Sequence, residues 1–239
     1  MRITAVIAII SQHKVVIFRD HFTSAGENRA NLFERDVVEL SRVSFDANDL
    51  LASALRSAPP LSTRFPASQL GAQLGAVART ISVRDQLGAS RQVFFVGLGG
   101  FDTHANQAAT LPALQRDISD SIAAFFSATQ EMGIESNVTT FTASDFGRTL
   151  TINGDGTDHG WGAHHFVVGG EVRGGDIYGD IPPAELGHSQ DSGNGRLIPG
   201  VSVEQLAAPL GTWYGLGPGE LAAALPGLKA FTDGGLALF

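Results

Sequence analysis

The sequence predicts an α/β fold, a mostly parallel sheet sandwiched by helices, and three observations carry that prediction. Two apolar runs, Val93 to Leu98 and Val138 to Ala143, have the length of buried strands, and the first is apolar on both faces as a central parallel strand is. Between them, Leu114, Ile118, Ile122, Phe125, Phe126 and Met132 mark a long amphipathic helix from Leu111 to Met132, which Gly133 ends. Acids and imidazoles then follow each run, which is where a parallel α/β sheet places its chemistry. Residues 93 to 143 form one β-helix-β crossover, right-handed by the usual rule, so both strand ends point the same way.

The remaining elements follow in order. Met1 to Ile10 reads as a short buried strand or helix, too short to span a bilayer and without a cleavage pattern after it. Val15 to Phe18 suits a strand. Asn31 to Leu40 and Asn48 to Leu55 read as helices, with Asn48 as a cap, and Pro59-Pro60 stops the second. Leu70, Leu74, Val77 and Ile81 recur at helical spacing, while Gly71, Gly75 and Ala78 let that helix lie close to a sheet. Glu171 to Gly179 reads as a short polar strand pair or loop, and residues 180 to 200 as an extended surface loop. Ser202 to Tyr214 is a helix with Val203, Leu206, Leu210 and Trp213 inward, followed by a closing helix at Leu221 to Leu225. Residues 1 to 64 form an N-terminal segment of unassigned structure, and 65 to 239 one globular α/β unit.

Composition narrows the partners. With 239 residues, 43% hydrophobic and 17% charged, the chain has material for a core. A net charge of -8 argues against nucleic acid or an anionic membrane surface. No transmembrane segment or signal peptide is visible. Cysteine is absent, so any metal must be held by nitrogen and oxygen.

Four groups of residues carry candidate chemistry. Asp102 and His104 are two apart, so in an extended backbone both face one cation; alternatively Asp102 caps the next turn and His104 bonds locally. Asp145 either joins a metal or caps a turn, with Arg148 as its ion-pair partner, its orienter or a contact to an anionic substrate. The loop from Asn153 to Gly160 holds Asp155, Asp158 and His159 among glycines. It lacks the acid that closes an EF-hand, His164 standing there instead, and Asp158-His159 better suits a mixed oxygen and nitrogen site for Zn²⁺, Mn²⁺ or Mg²⁺. His164 and His165, if extended, face opposite sides, so at most one joins the site easily. His13, His21 and His188 read as surface or packing residues.

Three strings resemble a known family: Gly99-Gly100-Phe101-Asp102-Thr103-His104-Ala105-Asn106-Gln107, Ser144-Asp145-Phe146-Gly147-Arg148-Thr149 and Gly156-Thr157-Asp158-His159-Gly160. They resemble the signature of the bacterial DUF1501 proteins, relatives of the alkaline phosphatase and sulfatase superfamily, from about Phe65 to the C-terminus. Gly169-Gly170, Gly174-Gly175 and Gly195-Arg196-Leu197-Ile198-Pro199 belong to the same resemblance. It implies an alkaline-phosphatase-like α/β sandwich and a two-metal site, zinc foremost, for phosphoryl or sulfuryl transfer. By position, Asp102 and His104 fit the first ligand group, Asp145 the second and His159 the last. Phe146 stands where the superfamily has a second histidine, leaving the site one nitrogen short. Relatives are usually longer, with an exported N-terminal half that carries the first strand, an early metal-binding acid and the nucleophile region. Nothing before Phe65 resembles that half, so the chain reads as the C-terminal part of such a protein. An exported or periplasmic location is implied by the resemblance alone.

Two functions are expected. One is a metal-dependent hydrolase of small anionic phosphate or sulfate esters, with metal ligands drawn from Asp102, His104, Asp145, Asp158, His159 and His164, Arg148 steadying the anion and no assigned nucleophile. The other is a non-catalytic binding or assembly subunit that keeps the fold with one structural ion or none. A missing half would leave a strand edge and an apolar sheet face bare, which predicts self-association or a covering partner.

Overall fold

The computed structural model describes residues 2–4, 31–232 and 234–239; Val15 to Phe18, His13 and His21 lie outside them, as does most of Met1 to Ile10. The described strands are β1 (Arg2–Thr4), β2 (Arg91–Val93), β3 (Val138–Phe141), β4 (Gly147–Asn153), β5 (Gly156–Gly160) and β6 (Val167–Gly169). The α-helices are α1 (Leu32–Ser57), α2 (Gln69–Ser82), α3 (Gln107–Glu131), α4 (Val203–Tyr214) and α5 (Pro218–Ala224). One sheet has the order β2-β1-β3-β6, and β4 and β5 form a separate antiparallel hairpin.

This overturns the expected mostly parallel sheet sandwiched by helices. The strands of the larger sheet are only three or four residues long. Its parallel contacts, β2 to β1 and β1 to β3, span a few residue pairs, and β6 closes it antiparallel to β3. The longest strand belongs to the antiparallel hairpin. Helices, not a broad sheet, supply most of the core: Leu70, Leu74, Val77, Ala78 and Ile81 of α2 meet Phe125 and Ala128 of α3, with Val138 of β3 beneath.

The run from Val93 to Leu98 is covered differently from a central strand. Phe94, Val96 and Leu98 pack on the core, but Val93 and Phe95 are 53% and 60% exposed. Only one face is covered, where a central parallel strand is covered on both. Beyond the last described pair, Thr4 with Val93, a side chain from α2 bonds this run at Gly97. Gln73 of α2 donates from Nε2 to the Gly97 carbonyl at 2.9 Å and accepts from the Gly97 N–H at 3.1 Å. Its carboxamide thus satisfies donor and acceptor together, as a strand would.

The helices end where their sequences direct. α1 is one continuous helix, not two, because no glycine or proline lies between Leu32 and Ser57. Asn31 caps it, its side chain accepting from the Phe33 N–H at 3.0 Å, so Asn48 lies inside the helix and caps nothing. Ala58 is extended, as the residue before a proline prefers. Ser68 caps α2 by accepting from Gly71 N at 3.0 Å and donates to Asp117 of α3 at 2.5 Å, so one hydroxyl starts α2 and ties it to its neighbour. A capping box at Ser202 and Gln205 opens α4, whose Leu210 and Trp213 are buried. Val203, expected inward, is exposed because it occupies the first helical position at the solvent end.

Residues 180 to 200 are not merely an extended loop. The Asp191 carboxylate accepts from the N–H groups of Gly187, Gly193 and Gly195 at 2.8 to 2.9 Å, which winds the segment into a tight coil. These bonds hold its carboxyl below the usual carboxylate range, Gly187 contributing most. The coil then grips the hairpin region, with Leu150 N donating to Gly195 O at 3.0 Å and Gly162 N to Leu197 O at 2.8 Å.

Glu131, the last residue of α3, sits at the negative end of its helix, where a carboxylate is unfavourable. Three donors outweigh that: Ser62 N at 2.6 Å, Thr63 Oγ1 at 2.7 Å and Thr63 N at 2.9 Å. The Ser62 backbone bond, ahead of those from Thr63, brings its pKa from the ordinary 4.5 down to about 2. A folded value below the unfolded one means a stabilising contribution that is complete above pH 4.5 and lost as pH falls toward about 2. The amide proton resonances of Ser62 and Thr63 should therefore titrate near pH 2 and not near 4.5. The urea midpoint of wild type should fall more steeply across that window than that of Glu131→Gln.

Candidate metal centre

The site is built on the exit of the first crossover strand and on one face of the β4–β5 hairpin. After Gly99, Gly100 takes a left-handed conformation, φ +98°, and the chain folds into a tight turn. Thr103 N donates to Phe101 O at 2.9 Å and His104 N to Asp102 O at 3.2 Å. Asp102 and His104 therefore sit on a turn, not on the extended backbone expected, yet their side chains still converge. His104 Nε2 lies 2.8 Å from Asp102 Oδ1.

The segment from Asn153 to Gly160 is a hairpin, not a loop folded around an ion. Gly147 pairs with Gly160, Arg148 with His159, Ile152 with Thr157 and Asn153 with Gly156. Gly154, at φ +73°, makes the turn. The readable signal is Asn153-Gly154-Asp155-Gly156 after the alternating Thr149-Leu150-Thr151-Ile152, a strong short-range hairpin pattern. Gly156 is also where the hairpin meets the strand exit. A Cβ there would overlap the backbone of Thr103 and His104, and Thr157 N donates to Thr103 O at 3.3 Å.

These elements bring Asp102, His104 and His159 together, with one ligand atom from each lying within 4.8 Å of the others. His159 Nε2 is 2.7 Å from Asp102 Oδ1, and Arg148 Nη1 donates to the same oxygen at 3.0 Å. The hydrogen bond from His159 leads in holding the Asp102 carboxyl below its usual range, with Arg148 and His104 adding to it against desolvation. All three residues are exposed, so hydrogen bonds and not burial fix their places.

A network behind them sets their positions. Arg148 donates from Nε to Thr157 Oγ1 at 2.9 Å and from Nη2 to the Thr157 carbonyl. Thr157 Oγ1 in turn donates to Gln107 Oε1 of α3 at 2.9 Å. The Phe146 ring stacks on the His159 imidazole at 4.3 Å and 14°, and the Arg148 guanidinium lies 5.7 Å from the centre of the same ring. Asp158 Oδ1 accepts from Asn153 Nδ2 and lies 3.5 Å from His104 Nδ1. Thr157, Gln107 and the stacking face of Phe146 went unseen in the sequence, where polar residues fifty positions apart carry no sign of their pairing.

Asp145 and His164 lie outside this grouping. Both are exposed, Asp145 on a turn in which Ser144 Oγ donates to Phe146 O at 2.8 Å. His165, not His164, bonds Thr142 Oγ1 at 3.4 Å, and its imidazole pKa is lowered first by burial and then by the neighbouring His164. His188 is a packing residue whose Nδ1 accepts from Gln190 N at 3.2 Å.

The sequence model of the DUF1501 family, described as a protein of unknown function, matches residues 28–229, and the chain belongs to that family. The match takes in α1, upstream of Phe65 where the motif resemblance begins. No curated protein and no solved structure matches the chain.

The close approach at Gly156 gives a test of how the cluster is held. Gly156→Ala should push the Thr103–His104 backbone off the hairpin and cost about 1–3 kcal/mol in chemical denaturation, the range of an overpacked contact. Nuclear Overhauser contacts between the His104 and His159 rings, whose centres lie 5.0 Å apart, should vanish in that variant. Gly154→Asn, at a left-handed turn position that asparagine tolerates, should retain them.

Proposed function

We propose that this chain is a one-metal hydrolase-like protein whose Asp102, His104 and His159 hold a divalent cation at the reacting face. A single observation carries the reading: two imidazole nitrogens and a carboxylate oxygen, from two stretches of chain more than fifty residues apart, converge within 4.8 Å. Two nitrogens and one oxygen suit Zn²⁺, with Mn²⁺ or Mg²⁺ as weaker fits. Three protein ligands leave a coordination position open, the arrangement of catalytic rather than structural zinc. The supports fit as well, since Asp158 faces the far nitrogen of His104 and Arg148 anchors Asp102. Asp145 and His164 lie outside the grouping, so the reading is of one ion and not the two of the superfamily.

The ion would supply Lewis-acid polarisation of an ester oxygen. The protein's own residues orient the site: Arg148 fixes Asp102, and Phe146 fixes the plane of His159. Arg148 directs its three nitrogens to Asp102 and Thr157, which makes it a positioning residue ahead of an anion contact. Thr157 is buried with its hydroxyl donated to Gln107, so water, not that hydroxyl, is the nucleophile this reading requires. The resemblance of the three motifs to the alkaline phosphatase and sulfatase superfamily supports phosphate or sulfate esters as the substrate class. It equally supports an exported, periplasmic location. Among the described residues no helix is long and apolar enough to cross a membrane.

A second reading, a non-catalytic assembly subunit, is favoured by the exposed apolar side chains of α1 and of the run after β2. Phe33 is 81% exposed, and Val37, Leu40 and Phe95 are exposed with it. Elemental analysis of the purified chain separates the two. The hydrolase reading expects one equivalent of zinc, lost in Asp102→Ala/His159→Ala, together with zinc-dependent turnover of an aryl phosphate or sulfate. Metal-free protein with a double variant of unchanged thermal stability would refute it. A dimer in light scattering without turnover would favour assembly.

A further inference from the structure

A groove of about 520 Å³ opens between the first turns of α3 and the β4–β5 hairpin. It is a shallow groove open to solvent rather than an enclosed cavity. Ala108, Leu111 and Pro112 line the helical wall, and Ile152 and Thr157 the hairpin wall. The walls are latched together: Gln107 N donates to Asp155 O at 3.1 Å, and Thr157 Oγ1 to Gln107 Oε1 at 2.9 Å. These two bonds fix the helix against the hairpin at the Gln107 end of the groove.

Its position ties it to the metal centre. Directly paired residues of an antiparallel ladder share a face, as do residues two apart on one strand. Ile152 pairs with Thr157, Arg148 pairs with His159, and Thr157 and His159 are two apart on β5. On β4 the register shifts between Arg148 and Ile152, so the link runs along β5, where Thr157 at the groove and His159 in the cluster lie about 7 Å apart on one face. That is the length of an aromatic ring. Ile152, at the groove, is 72% exposed, which leaves a large apolar side chain in water. Asp155 is the charged residue among those lining the groove, so a second anionic group is disfavoured there.

We propose that this groove takes the uncharged, apolar leaving group of an aryl ester whose anionic head lies at Asp102, His104 and His159. The inference rests on the hydrolase reading and adds to it the chemistry of the leaving group. Hydrolysis breaks the bond from phosphorus or sulfur to the aryl oxygen. Water's oxygen bonds to phosphorus or sulfur, and one of its protons ends on the released phenol. The phenol is then the species left in the groove.

The test uses the full chain, with and without zinc, titrated with phenol while the Ile152 and Leu111 methyl resonances are followed by NMR. Phenol should shift both methyls in either form. Ile152→Glu, at a position exposed enough to tolerate it, should weaken phenol binding and raise KM for phenyl phosphate by about tenfold, a difference easily resolved. Its zinc content should be unchanged. Zinc binding with no methyl shift, or equal phenol affinity in Ile152→Glu, would overturn the groove and leave the metal centre standing. Methyl shifts in a chain that binds no zinc would overturn the metal reading and, with it, the ester assignment.

Discussion

The Arg148 guanidinium is the part on which the rest of the site depends. Its Nε and Nη2 bond the hydroxyl and carbonyl of Thr157, and its Nη1 holds the carboxylate of Asp102. One planar cation thus joins β4, β5 and the turn that follows the crossover strand, and Thr157 passes the connection to α3 through Gln107. A lysine has the charge but not the fork, and could satisfy one of these partners at a time. The consequence is that an exposed cluster still has defined geometry. Asp102, His104 and His159 are not packed into place; they are hydrogen-bonded into place from behind.

Glycine serves this arrangement by closeness more than by flexibility. A Cβ on Gly160 would come within 2.6 Å of the Arg148 carbonyl oxygen, and one on Gly162 within 2.9 Å of Leu197 O. Gly156 sits against Thr103 and His104 in the same way. Three backbones can therefore lie against one another: the hairpin, the turn at residues 101–104 and the coil wound around Asp191. That packing lets residues distant in sequence share a site whose side chains are solvated.

Helices and site were more legible in the sequence than the sheet. Leu70, Leu74, Val77 and Ile81 mark α2, and the apolar stripe from Leu114 to Met132 marks α3, because helical periodicity is written within one segment. The parallel orientation of β2 and β3 followed from the crossover, and both pair parallel with β1. The extent of the sheet did not follow, because strand length depends on a neighbour. Val93 to Leu98 looks like a central strand covered on both faces, but Val93 and Phe95 are exposed and the carboxamide of Gln73 bonds the backbone at Gly97. Asp102, His104 and His159 were legible as acids and imidazoles near strand ends. Asp145 and His164 looked equally suitable, since spacing reports direction along a strand but not the path of a turn. Asn153 to Gly160 reads as a glycine-rich loop, whereas Gly154-Asp155 is the two-residue turn of a hairpin.

Local charge bears on what such a centre would bind. Asp102 and Asp158 bring two negative charges to the cluster and Arg148 one positive, a sum of minus one with neutral imidazoles. A divalent cation would reverse that to plus one, the sign that favours the head of a phosphate or sulfate monoester. Without the cation the same residues repel the head, so ion and anion would bind together or poorly. A second divalent ion would need further anionic ligands, and Asp145, two residues before the hairpin's first strand, is exposed outside the grouping. At the other end of the hairpin face, Asp155 keeps the groove negative at its rim. The two ends then differ in charge and polarity. An ester with an anionic head and an apolar tail would have one favourable orientation along that face.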